Sequence, residues 1–152
     1  MKLTDIVTQD RITSGQVFTS KKKALEELSK LLATGAGVDA NDILGSLTTR
    51  EKLGSTGLGH GVAIPHGRMA GVETSVGAFM RLKSGLNYDA HDGAPVDLVF
   101  GLLVPQNAGE SHLKHLAAIA EMFSDEGFCK KMRAAADDKA LFALLASFTP
   151  SN

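Results

Sequence analysis

The hydrophobic period changes twice along this 152-residue chain, and that alternation constrains its fold more than any other feature. From Ser20 to about Thr34, the residues Ala24, Leu25, Leu28, Leu31 and Leu32 recur on one side of a helix, and the Ser20 hydroxyl suits the cap. Gly35-Ala36-Gly37 is expected to end that helix. Asp39 is expected to cap a second one, with Ile43, Leu44 and Leu47 on its buried side. From Ser75 to Lys83 the period is two: Val76, Ala78, Met80 and Leu82 alternate with Gly77, Phe79 and Arg81, as in a strand. Val96 to Val104 is apolar except at Asp97 and Gly101, the pattern of a strand covered on both faces. The helical period then returns, from about Ser111 to Phe123, around Phe128 and Met132, and in a last helix capped by Asp137 that carries Leu141, Leu144, Leu145 and Phe148. Helices, then strands, then helices predict an α/β fold: a single layered domain over residues 1–152, with a mixed β-sheet and helices packed on its faces. The strand order does not follow from the pattern.

Charge narrows the range of functions. Sixteen Lys and Arg stand against seventeen Asp and Glu, a net charge of −1, so no basic excess exists to neutralise a nucleic-acid backbone. The one basic run, Lys21-Lys22-Lys23, is followed by Glu26 and Glu27 and reads as a solvated helix face. No apolar run approaches the ~18 residues that span a bilayer, and the N-terminal MKLTDIVTQDR lacks the apolar core of a secretory signal. A cytoplasmic protein without membrane insertion is expected. Cys129 is the single cysteine, so neither an in-chain disulfide nor a CxxC pair is available.

The densest chemical signal lies where the first helical period gives way, in TREKLGSTGLGHGVAIPHG from Thr49 to Gly67. Its glycines allow a backbone to approach a ligand closely. Ser55 and Thr56 add hydroxyl donors, and Arg50 adds a permanently charged planar fork suited to phosphate oxygens. The segment has the makings of an anion cradle leading to a histidine, although the same composition also serves as an ordinary connector. The spacing of a P-loop is absent, and the glycines precede the apolar run instead of following a strand as in a dinucleotide fingerprint.

Two histidines stand out. His66 follows Val62-Ala63-Ile64-Pro65, so a strand would deliver it to a sheet edge, and Pro65 restricts the backbone before it. An imidazole titrating near pH ~6.5 keeps one nitrogen free to act as a nucleophile. On the residues alone, a turn histidine without a role is an equal reading. On a wheel of about 100° per residue with His112 at the origin, Leu116, Ile119 and Phe123 lie within about 40° of it. His112 therefore aims into the apolar arc from the first turn, where free N–H groups and the positive dipole end suit an anion. A hydrogen-bonded core histidine fits the same position. His115 falls near the arc's edge. His112-x-x-His115 places two imidazoles close enough to share an ion, but neither HExxH nor a cysteine pattern supports a metal site, and no GxSxG elbow supports serine hydrolysis.

With these residues in place, the chain resembles the mannitol/fructose-type IIA domains of the phosphoenolpyruvate-dependent phosphotransferase system, in its stand-alone nitrogen-regulatory branch. TREKLGSTG, GVAIPHG, the KKALExxS helix, PVDLVFGLLVP and SHLxxL carry the resemblance, which runs from about Leu3 to Phe148. It implies a phosphohistidine carrier in which His66 accepts the phosphoryl group, through Nε2. Arg50, Ser55, Thr56 and His112 would bind the phosphate, and no metal or organic cofactor would be needed. The implied donor is a histidine-containing carrier like HPr, and the implied output is control of target proteins that the sequence does not identify. The alternatives are a sugar-transport IIA component handing phosphate to a IIB domain, and a non-catalytic binding module of the same fold. No linker or IIB sequence follows before Asn152, which favours regulation over transport. His60 departs from the Asn common at its position in such domains, and His115 matches no histidine of the family.

Overall fold

A computed structural model describes residues 2–151. After two short 3-10 turns at Leu3–Asp5 and Gln9–Arg11, strand β1 spans Ile12–Gln16. Helices α1 (Lys21–Ala36) and α2 (Ala40–Lys52) follow, then three short strands, β2 (Gly57–Gly59), β3 (Val62–Ala63) and β4 (His66–Met69). Two long strands, β5 (Val76–Leu86) and β6 (Val96–Pro105), precede α3 (Glu110–Ser124), α4 (Glu126–Ala134) and α5 (Asp138–Ser147).

The predicted caps are in place. The Ser20 hydroxyl accepts from the Lys23 N–H at 3.1 Å, Asp39 from Asn41 at 2.7 Å, and Asp137 from Ala140 at 2.8 Å. Each satisfies a first-turn N–H that has no carbonyl partner within its helix. One boundary differs from expectation: α1 runs through Gly35 and Ala36 and stops at Gly37, whose φ of 71° is left-handed. Gly35 is kept inside the helix by packing, because a Cβ there would lie 2.5 Å from Nη1 of Arg11. The Arg11 guanidinium is itself held by the carbonyls of Gly77 and Ile6 at 3.0 and 3.1 Å.

The six strands form one mixed sheet in the order β1-β5-β6-β3-β2, with β4 also on β6. β1 lies parallel to β5, β5 antiparallel to β6, and both β3 and β4 parallel to β6. The period of two along β5 sorts its side chains between two cores. Ala78, Met80 and Leu82 pack with Leu28 and Leu32 of α1 and with Ile43 and Leu47 of α2. Phe79 turns to the other face, where Phe100, Ile119, Met122, Phe123, Met132, Leu141 and Leu145 close the second core. The near-continuous apolar run of β6 is thus explained, since it is buried on both sides. This is the layered α/β domain that the hydrophobic pattern implies.

The segment around Pro65 positions the site. β3 and β4 lie along the same flank of β6 in unbroken register, Val62 opposite Leu98, Ala63 opposite Val99, and His66 opposite Leu102. Ile64-Pro65 interrupts the ladder because Pro65 has no N–H to give, yet its carbonyl still accepts from Leu102 at 3.0 Å. Part of the glycine segment expected as loop is likewise strand: β2 folds back antiparallel on β3 around His60, which sits at φ 57° between Gly59 and Gly61.

Candidate functional site

Strand β4 begins at His66, with the side chain half-buried. Its Nδ1 lies 2.8 Å from the carbonyl oxygen of Ile64. A carbonyl only accepts, so Nδ1 carries a proton, and it is Nε2 that holds the lone pair in the neutral ring. The ring lines a cavity of about 630 Å³. The walls come from four elements that the sheet brings together: the C-terminal half of α2 with Arg50, β4 with Arg68 and Gly67, β6 with Leu102 and Val104, and the first turns of α3 with His112. Leu53, Leu102, Val104, Leu113 and Leu116 supply the apolar part of the lining, and Leu53 and Leu113 are 81% and 50% exposed.

Arg50 stands in the last turn of α2, where a cation complements the negative dipole end. Its Nη1 donates to the Gly54 carbonyl at 2.8 Å, which anchors one edge of the guanidinium and leaves other N–H groups for a ligand. His112 occupies the first turn of α3, half-buried as its wheel position implies. Its Nδ1 is 2.7 Å from Oγ of Ser75, a hydroxyl that is itself buried just ahead of β5. That bond ties down one ring nitrogen and leaves Nε2 as the free one. Arg50, His66 and His112, chosen from the sequence, therefore share one cavity.

Ser55 and Thr56 are not among the residues that line it. The Ser55 hydroxyl donates to the Tyr88 carbonyl at 3.2 Å and accepts from the Gly57 N–H at 3.1 Å. Thr56 is buried, its hydroxyl donates to the Glu51 carboxylate, and it also touches the Tyr88 hydroxyl at 3.1 Å. Both hydroxyls hold the loop together rather than opening toward the cavity.

The remaining histidines have separate surroundings. His60 is exposed; its N–H donates to Asp92 at 2.9 Å and its carbonyl accepts from Arg133 at 2.9 Å, so its backbone is held at the hairpin turn. The N–H groups of His60 and Ala94 hold the Asp92 carboxyl below the usual carboxylate range. The His115 ring meets His112 edge to face at 5.9 Å between centroids, and its buried Nδ1 has no hydrogen-bond partner among the described residues. Burial, followed by the neighbouring His112, pulls the His115 imidazole below its ordinary value.

Two further residues bear on the site, Arg68 in its lining and Ser75 behind His112, and neither stands out in the sequence. Arg68 is exposed at the cavity, two residues beyond His66 on the same strand and hence on the same face. Ser75 stands in the sequence only as the start of a strand. The place of Arg68 follows only once β4 is known to be a strand, which puts it on the face of His66, whereas that of Ser75 depends on a contact with a residue 37 positions away.

A mixed sheet flanked by helices, with a histidine of defined tautomer beside arginine and a second histidine, has the form of a group-transfer carrier domain. Residues 5–148 match the family described as phosphoenolpyruvate-dependent sugar phosphotransferase system, EIIA 2, and the chain belongs to that family. The nitrogen regulatory protein of Bradyrhizobium diazoefficiens is 43% identical over 96% of this chain and 95% of its own length. That of Escherichia coli K12 is 36% identical over 95% of this chain and 90% of its own. The crystal structure of nitrogen regulatory protein IIA-Ntr from Neisseria meningitidis superposes with a TM-score of 0.87 at 42% identity, covering 93% of this chain and 97% of that one. Mannitol IIA of Escherichia coli, at 23% identity and a TM-score of 0.75, shares the fold. Family and relatives fit a phosphocarrier of the nitrogen-regulatory kind. Among the described residues, no helix is long and apolar enough to cross a membrane.

Proposed function

We propose that this protein accepts a phosphoryl group on Nε2 of His66 from the phosphohistidine of an HPr-like carrier, and that its phosphorylation state then governs target proteins in the cytoplasm. The observation that carries the reading is the Nδ1–H bond from His66 to Ile64, which reserves Nε2 as a nucleophile on a ring that lines the cavity with Arg50 and His112. In the transfer, the Nε2 lone pair forms the new N–P bond as the donor's N–P bond breaks, and the donor imidazole leaves with the electron pair. No proton has to move on His66, because Nδ1–H stays on the Ile64 carbonyl throughout. Catalysis of such a step consists of positioning and of stabilising charge on the equatorial oxygens. Arg50, Arg68 and the Nε2 side of His112 supply donors for those oxygens, while Ser55 and Thr56 contribute by fixing the loop that follows Arg50. Phosphohistidine formation adds a dianionic group beside the exposed Leu53 and Leu113, changing the surface that a partner meets. The whole chain, 1–152, serves as one such domain.

Incubation with enzyme I, an HPr-like carrier and phosphoenolpyruvate, followed by mass-spectrometric mapping, tests the proposal. A single phosphate on His66 is expected. Labelling of another histidine, or full labelling of His66→Ala, refutes the assignment. A IIB domain accepting phosphate from the product as fast as the donor supplies it would favour the sugar-transport reading instead.

A further inference from the structure

Glu51, next in sequence to Arg50, sends its side chain away from the cavity into a polar cluster between α1, α2 and the segment after β5. Its side chain is 6% exposed, and its carboxylate receives four donors, two on each oxygen. Oε1 accepts from the Thr56 N–H at 3.0 Å and pairs with the Lys21 ammonium at 2.8 Å. Oε2 accepts from the hydroxyls of Thr56 and Tyr88. The Lys21 ammonium also sits 4.4 Å over the Tyr88 ring. Burial and the nearby carboxylate both push the Tyr88 phenol upward, so it stays a donor.

A buried carboxylate is costly unless every lone pair is used and a counter-charge lies close, and here both conditions hold. What this arrangement fixes is the turn from Leu53 to Thr56. Glu51 holds Thr56 at one end through both backbone and side chain. At the other end, the N–H groups of Leu53 and Gly54 close onto the carbonyls of Arg50 and Glu51 at 3.1 Å. Between these anchors lies the Gly54 carbonyl, which receives Nη1 of Arg50.

We infer that Glu51 is a positioning residue for phosphoryl transfer: it holds the turn whose Gly54 carbonyl orients the Arg50 guanidinium beside His66. The inference rests on the reading of Arg50 as a phosphate-binding group. It also gives Ser55 and Thr56 their place. Their hydroxyls build the support of the cradle instead of touching the anion, and Lys21 and Tyr88, far apart in sequence, belong to the same support.

The test is a double-mutant cycle in single-turnover transfer from a phosphorylated HPr-like carrier at saturating donor. Glu51→Gln keeps the side-chain shape but sets an amide N–H₂ against groups that donate, so Thr56 loses one acceptor together with either Lys21 or Tyr88. Misplacing a group by about 1 Å costs up to about a hundredfold, so a slowing on the order of tenfold or more is expected, with an unchanged far-ultraviolet circular dichroism spectrum. In an Arg50→Ala background the same substitution should have no further effect, because nothing is left to orient. A residue that merely stabilises the fold would slow both backgrounds by the same factor, which overturns the inference. So does a Glu51→Gln rate within about twofold of the unmodified protein while Arg50→Ala is slow. If Arg50→Ala itself is not slow, the phosphate-binding reading of Arg50 falls first and the positioning role falls with it. Should Glu51→Gln fail to fold, Tyr88→Phe removes one donor and retains the ring, and a smaller slowing that again vanishes beside Arg50→Ala is expected.

Discussion

Nδ1 of His66 and the carbonyl oxygen of Ile64, two residues earlier, lie 2.8 Å apart, so the proline between them serves as the spacer of a hydrogen bond that assigns the ring's tautomer. Pro65 fixes its own φ and cannot continue the ladder on β6, which turns the Ile64 carbonyl back toward the ring that follows. The nucleophilic nitrogen is set by backbone geometry alone. Nitrogen-15 shifts of the His66 ring at a pH where it is neutral should therefore show Nδ1 protonated and Nε2 bare. The opposite tautomer would remove the physical basis for transfer at Nε2.

The acceptor prediction separates the histidines. His66→Ala should abolish phosphorylation. His60→Ala should retain most of it, because the His60 ring is exposed on the β2–β3 turn and His60 is held there through its backbone. His60→Gly should be tolerated as well, since glycine adopts the positive φ at no steric cost. Labelling with radioactive phosphoenolpyruvate in the reconstituted cascade checks each variant, and a loss of labelling in His60→Ala comparable to that of His66→Ala would contradict the assignment.

Arg50→Ala should slow transfer by about 10²–10³, the usual result of removing one charged donor from a transition-state site, or about 2.7–4 kcal/mol. The hydrogen bond that its guanidinium makes to Gly54 is near the surface, so melting should shift little. Arg68→Ala should cost less, because that side chain is exposed and has water as an alternative partner. Equal losses for the two would mean that the cavity acts as a diffuse positive patch.

How far the sequence carries a reader depends on where each element finds its partners. The long helices were legible because their apolar stripes and caps are local, and β5 and β6 because a period of two or an unbroken apolar run survives without neighbours. Strand β4 was not legible: His66-Gly67-Arg68-Met69 has no alternation, and it becomes a strand only because β6 offers a free flank in the same register as β3. Strand β1, Ile-Thr-Ser-Gly-Gln, fails for the same reason, with one apolar residue in the core and its pairing supplied by β5. At the site, His66, Arg50 and His112 were visible by chemistry and spacing. The orientation of Ser55 and Thr56 was not, since it depends on Glu51 and on Tyr88, which lies 32 residues beyond Thr56.

His112 distinguishes packing from chemistry. It is half-buried and bonded to Ser75, so replacement by leucine would disturb both properties at once. His112→Gln keeps a donor and a comparable length, and should preserve the fold while slowing transfer or shortening the lifetime of phospho-His66. Ser75→Ala should act in the same direction but more weakly, since it frees the ring without removing it. A lowered melting temperature with an unchanged rate per folded molecule would assign His112 to the core alone.

The last prediction concerns pH and His115. Its imidazole is held below the ordinary value, first by burial and then by His112, with Asp5 opposing. In the unfolded chain it titrates near pH ~6.5. Above that value His115 is neutral in both states, and its contribution to folding is intact. As the pH falls below it, the unfolded chain takes up a proton that the folded ring resists, so stability declines until the depressed folded value is passed. Among the described residues the buried Nδ1 meets no acceptor to donate to, which reinforces the same direction. Melting temperatures measured from pH 7.5 down to about pH 5 should fall for the unmodified protein and fall less for His115→Gln, which cannot titrate. The difference between the two curves isolates this residue, because the other four histidines are common to both. Curves that run parallel across the interval would show that the His115 proton affinity is the same folded and unfolded, and the burial argument would be wrong.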